Sequence, residues 1–175
     1  MGVSFMNNAD TTVFISDADQ YVFGQGTHYD IYKKLGAHFC KKGKKDGVFF
    51  AVWAPNAREV YVIGEFNDWN ESASPMERLG EGGIFATFVE DVKEGQMYKY
   101  LLVLPDGRRL YKADPYANYA EMRPGTASKV YDLNHFKWSD KKWLADRDKK
   151  DMNKEPMSIY ECHIGSWMKH PDGTE

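Results

Sequence analysis

Between residues 48 and 131 the chain is a succession of short apolar runs, each closed by residues that reverse a strand, and few architectures accommodate that rhythm. The runs cover 48–54, 59–64, 84–89, 97–104, 108–111 and 128–131 and are rich in β-branched and aromatic side chains. Pro55-Asn56, Glu81-Gly82-Gly83, Glu94-Gly95 and Pro105-Asp106-Gly107 stand where the direction must change. At least six short strands with few helical segments predict an all-β fold, an antiparallel β-sandwich of immunoglobulin-like type, and not a parallel sheet of alternating strands and helices. No internal repeat and no Rossmann or P-loop glycine pattern interrupts this reading.

A chain of 175 residues, 42% of them hydrophobic and 15% aromatic, holds one well-cored domain plus appendages. Residues 1–26 read as a polar leader with at most a strand at 12–15, and 27–138 as the sandwich. Within it, 27–35 offers a Thr27 cap and a short helix or turn ended by Gly36. Residues 139–156 are densely charged around Trp143 and Leu144, a short helix running into a linker. At 157–167 (MSIYECHIGSW) a new apolar strand begins, and one strand cannot bury both its faces. Residues 157–175 are therefore expected to open a further domain, which makes the chain the front part of a longer protein.

The net charge of −3 exerts no long-range pull on a polyanion. The basic run Lys41-Lys42-Gly43-Lys44-Lys45 lies between two β-like runs and reads as a solvated hairpin loop, so nucleic acid is not an expected partner. Cys40 and Cys162 form neither a disulfide framework nor a zinc spacing, which predicts reduced cysteines in a cytoplasmic protein. No stretch approaches the ~18 apolar residues of a membrane span, and no membrane partner is expected.

The sandwich carries one constellation suited to a ligand. In Gly64-Glu65-Phe66-Asn67-Asp68-Trp69-Asn70, an amide, a carboxylate and an indole follow an apolar strand. An indole face stacks on the C–H side of a pyranose while Asn67 and Asp68 reach its hydroxyls. The competing reading makes Phe66 and Trp69 core residues at a hairpin corner, with Asn67-Asp68 forming the turn. In Tyr98-Lys99-Tyr100 the alternation of a strand puts both tyrosines on one face and Lys99 on the other. An ammonium there could share a groove with Trp69, or be an ordinary surface lysine. The five histidines lack metal-binding spacing, no nucleophile elbow occurs, and the acids cluster in turns and linker. No metal, cofactor or catalytic residue is expected.

Four runs together resemble the N-terminal part of bacterial-type glycogen (1,4-α-glucan) branching enzymes: FGQGTHYDIYKKLGAH at 23–38, FAVWAPNAREVYVIGEFNDWN at 50–70, YKADPYANYAEMRPGTAS at 111–128 and SIYECHIGSW at 158–167. The middle part is similar to family-48 carbohydrate-binding modules, and the last run to the entry strand of an α-amylase-type (β/α)₈ barrel. The resemblance implies an α-glucan (glycogen, starch or malto-oligosaccharide) as ligand, with Asn67, Trp69 and Lys99 contacting it, and the catalytic barrel of the same polypeptide as partner. Where glycogen-sensing members carry a second Trp and an Asn, this chain has Arg109 and Lys129. Catalytic acids of such enzymes lie on later barrel strands, so the resemblance implies a non-catalytic piece of an enzyme that moves α-1,4-glucan segments onto 6-hydroxyls. The alternative is a structural domain that packs on and orients the barrel with little sugar binding of its own.

Overall fold

In the computed structural model, residues 14–168, 170 and 171 are described; the expected strand at 12–15 falls partly outside them, and residues 14 and 15 are not in a strand. The chain divides into two units, 1–135 and 136–175.

The first element of this unit among the described residues is helix α1 (Asp17–Gly24), which the polar leader reading did not anticipate. Its N-terminus is closed reciprocally: Ser16 Oγ accepts from the Asp19 N–H, and Asp19 accepts from the Ser16 N–H. Phe23 meets Trp53 edge-on, and Phe14 meets Phe49, so this region packs on the domain. A 3₁₀ turn over Ile31–Lys33 takes the place of the short helix or turn expected at 27–35.

Among the described residues nine strands follow: β1 (Gly36–Lys42), β2 (Lys45–Trp53), β3 (Glu59–Gly64), β4 (Pro75–Leu79), β5 (Ile84–Glu90), β6 (Met97–Val103), β7 (Arg109–Lys112), β8 (Tyr119–Ala120) and β9 (Ser128–Lys129). All pairings are antiparallel, in the order β1-β2-β5-β4-β3-β6-β9-β8, with β7 also on β6. The basic run is the β1–β2 hairpin loop, Lys42 lying opposite Lys45. β4 joins the β1-β2-β5 side to the β3-β6 side, so one curled ladder supplies both layers of the predicted sandwich.

Side-chain alternation explains the core. Val48, Phe50 and Val52 of β2 pack with Val60, Val62, Tyr98 and Tyr100 between the layers. Phe49 and Ala51 point the other way, into a smaller cluster with Ile31, Leu35 and Ile84. β2 is thus covered on both faces and reads as an unbroken apolar run.

A buried polar hub ties this core together. Asp114, only 6% exposed, accepts from Tyr98 Oη at 2.6 Å and Tyr100 Oη at 3.2 Å on one oxygen, and from the Tyr116 N–H on the other. Its own N–H donates to Ser128 Oγ. Burial pushes the Asp114 carboxyl above its ordinary value and both phenols well above theirs.

The second unit contains α2 (Lys141–Arg147), as the charged segment predicts, and the single turn α3 (Ile164–Trp167). The expected strand over 157–167 is not formed: residues 157–163 lie in no ladder. A strand needs a neighbour for its backbone groups, and none of the described residues pairs with it.

Candidate functional site

The run 64–70 leaves β3 as a 3₁₀ turn, Glu65–Asn67. Gly64 is required there by space: a Cβ would stand 2.4 Å from the Met97 carbonyl oxygen. Beyond the turn, Asp68 and Trp69 both adopt positive φ, 52° and 57°. Two consecutive non-glycine residues in the left-handed region carry strain of order 1–2 kcal/mol each. The loop is fastened to hold it. Trp69 N–H donates to Gly64 O at 2.9 Å, and the Met97 N–H donates to Glu65 Oε2 at 2.8 Å.

Asn67 is the centre of that fastening. Its Oδ1 accepts from the Gly64 N–H, while Nδ2 donates to Val62 O and Ser74 Oγ, both at 3.1 Å. Both amide hydrogens are engaged inside the loop, which matches the turn-forming reading of Asn67. Trp69 is instead 38% exposed, and Phe66 turns inward against Phe50.

Lys99 lies next to this loop through the register of β3 and β6: Gly64 is opposite Tyr98 and Ile63 opposite Lys99. The alternation predicted for Tyr98-Lys99-Tyr100 holds, since both tyrosines are fully buried and Lys99 projects from the opposite face. There its Nζ donates to Thr126 Oγ1 at 2.7 Å.

The same registers define the rest of the outer face. Tyr61, Leu101 and Tyr111 form one row across β3, β6 and β7, and Glu59, Val103 and Arg109 form the next. Glu71, from the loop after Trp69, accepts from Arg109 Nη1 and from Tyr111 Oη, binding the loop to β7. That hydrogen bond raises the Tyr111 phenol above its ordinary value; on the neighbouring row, the Tyr61 hydroxyl lowers the Glu59 carboxyl by donating to it. Tyr61, Tyr111 and Glu71 were not singled out as site residues from sequence. Alternation along RLYK after the Pro105-Asp106-Gly107 hairpin would have put Arg109 and Tyr111 on one face. Gly107, with φ of 85°, makes that hairpin possible.

The rows therefore present two tyrosines and the charges of Lys99, Arg109, Glu59 and Glu71, of which Arg109 pairs with Glu71 and Glu59 with Arg58, and the exposed indole of Trp69 stands in the loop that Glu71 fastens to them. Such a surface offers stacking area plus oriented hydrogen-bonding groups to a neutral, hydroxylated ligand. No cluster able to hold a metal ion occurs among the described residues.

Residues 34–117 match the model of carbohydrate-binding module 48, the isoamylase N-terminal domain. A 1,4-alpha-glucan branching enzyme GlgB of Butyrivibrio fibrisolvens is 62% identical over 163 residues, 93% of this chain and 26% of that protein. The GlgB of Bacillus caldolyticus is 47% identical over 158 residues, 90% of this chain and 24% of that one. The chain spans about a quarter of the length of these curated relatives. Among solved structures, a Klebsiella pneumoniae pullulanase complexed with maltotriose is similar at 28% identity and a TM-score of 0.46, covering 58% of this chain and 10% of that one.

Proposed function

Residues 34–117 belong to the carbohydrate-binding module 48 family, and from that premise we propose that the chain holds α-glucan on the outer face of β3, β6 and β7. Trp69 is the stacking platform and Lys99, steadied by Thr126, donates to sugar hydroxyls beside it. Asn67 belongs to the site as a positioning residue, because its amide sets the strained backbone that presents the indole. The observation that carries this reading is a partly exposed indole held at positive φ by a loop that the side chains of Glu65, Asn67 and Glu71 fasten to the sheet. Trp69 is thus presented at the cost of local strain, as binding residues often are.

In the whole protein, the module keeps glycogen or a related glucan close to a catalytic barrel on the same polypeptide, which transfers α-1,4 segments to form α-1,6 branches. This chain supplies binding and not the chemical step, and its expected setting is the cytoplasm, where glycogen is made. Co-sedimentation with glycogen tests the assignment: malto-oligosaccharide should release the chain and a β-1,4-linked oligosaccharide should not. Equal release by both would remove the α-glucan preference.

A second reading, a domain that orients the barrel, draws on the second unit, where Trp138, Trp143, Ile159, Tyr160 and Trp167 are each more than 60% exposed. Apolar surface of that kind marks a docking face. The two readings concern different residues and are compatible.

A further inference from the structure

A concavity of the first unit shares no lining residue with the Trp69 face. It has a volume of about 550 Å³, within the ~300–1,000 Å³ usual for ligand clefts. It forms where the two ends of the curled ladder come together: residues 37–39 of β1, the first strand in the order, on one side, and Asn118 with residues 131–134, flanking β8 and β9, on the other. Residues 30–34 close one end.

The lining has a definite chemical character. Tyr32, 55% exposed, together with Leu133 and Phe39, supplies apolar surface. The Lys33 ammonium lies 5.6 Å from the Tyr32 ring centre, over one of its two faces. The two lysines are matched internally, Lys33 with Asp30 at 2.9 Å and Lys34 with Asp19 at 3.0 Å, whereas Asp132 Oδ1 accepts only from neutral groups, the N–H and side-chain amide of Asn134. His38 Nε2 is engaged with the Leu35 carbonyl. The lining groups with no partner at all among the described residues are neutral amides. Asn118 is exposed and its amide has no hydrogen-bond partner among the described residues, and the Asn134 carbonyl oxygen likewise points to no described donor.

An anion would need an unmatched cation, a metal ion would need more than the one uncompensated carboxylate of Asp132, and a lipid or peptide chain would need a longer apolar floor. Aromatic and aliphatic surface bordered by unpaired amides is the chemistry of a neutral, polyhydroxylated ligand. We infer that this groove is a second saccharide site, in which Tyr32 contacts a ring face and Asn118 and Asn134 bond its hydroxyls. The choice of a malto-oligosaccharide as ligand rests on the function proposed above; the lining itself specifies only a neutral sugar.

Two such sites on one module would let a branched glucan be held at two points. Each weak contact then raises the effective concentration of glucan at the other.

The test is titration of the 175-residue chain with maltoheptaose, followed by amide chemical shifts, with wild type, Trp69→Ala, Tyr32→Ala and Asn118→Ala compared. Two separate groups of amides should move in the wild type, one around 61–71 and 97–111, the other around 30–39, 118 and 131–134. Trp69→Ala should silence the first group and leave the second. Asn118→Ala, which removes a group with no internal partner and so leaves the fold intact, should weaken the second roughly 3- to 10-fold without touching the first. Movement of the first group alone overturns the groove and leaves the Trp69 face standing. Movement of the second alone supports the groove and sinks the Trp69 face, and saturation without shifts in either group sinks both.

Discussion

At the scale of single residues, the outcome turns on which polar groups are already used. Asn67 was legible either as a sugar contact or as a turn residue, and only the positions of Val62 O and Ser74 Oγ show its amide committed to the turn. Asn67→Ala should therefore act as a structural change, leaving the Gly64 N–H and Val62 O without partners. We expect a loss of about 1–3 kcal/mol in urea denaturation, together with weaker glucan binding because Trp69 loses its support. The Glu71 link to Arg109 and Tyr111 was not legible, because its partners are 38 and 40 residues away and nothing local marks them. Asp114 carries a pH signature. Its folded-state pKa is raised, so its contribution to stability is complete below the ordinary carboxylate value and is lost as pH rises through the raised value. The stability of wild type relative to Asp114→Asn should accordingly decline from about pH 3 towards neutrality. A difference that grows with pH would contradict the direction of the shift.

At the scale of elements, the six runs read from the sequence all became strands, because apolar alternation and turn residues are local signals. Of the three described strands outside those runs, β1 was read only as a β-like run before the basic loop, and β4 and β8 escaped for the opposite reason. β4 buries one side chain, Met76, and β8 is two residues long, so neither has a pattern to read. Helix α1 has no buried residue of its own and was hidden in a polar stretch; the Ser16 and Asp19 pair was its only advertisement. Its attachment depends on Asp19, which also pairs with His28 at 2.9 Å and Lys34 at 3.0 Å. Burial tends to raise this carboxyl's pKa, but the bonds from Ser16, His28 and Lys34 outweigh it and hold it well below the usual range. Its contribution is present above the ordinary carboxylate value and is lost as pH falls through the depressed one. Asp19→Ala should cost about 1–2 kcal/mol and raise hydrogen exchange across residues 17–24 while β2 and β6 stay protected. Uniform loss of protection would mean that α1 is integral to the fold and not a fastened addition.

At the scale of the whole molecule, both core clusters lie within residues 14–130. A chain ending at His135 is therefore expected to unfold cooperatively with its stability within about 0.5 kcal/mol of the full chain. Removing 157–175, which carries exposed Met157, Ile159, Tyr160, Trp167 and Met168, should improve solubility. The β-sandwich was legible as a class because strand rhythm is encoded locally. The curling of one ladder through β4, the docking of α1 and the outer-face rows depend on distant pairings that a single sequence does not display. The strand expected near 158–164 shows the converse, an apolar pattern without a neighbour to complete it.

The central claim, that Trp69 presents a sugar-binding surface, is tested most directly by calorimetric titration of maltoheptaose into the chain and into Trp69→Ala, with folding of both verified by circular dichroism. Saturable binding to the wild type, reduced at least tenfold at the Trp69 face of a folded mutant, is the predicted result. Equal affinities in the two folded proteins, or no heat in either, would contradict it and leave the outer face of β3, β6 and β7 as a packing surface.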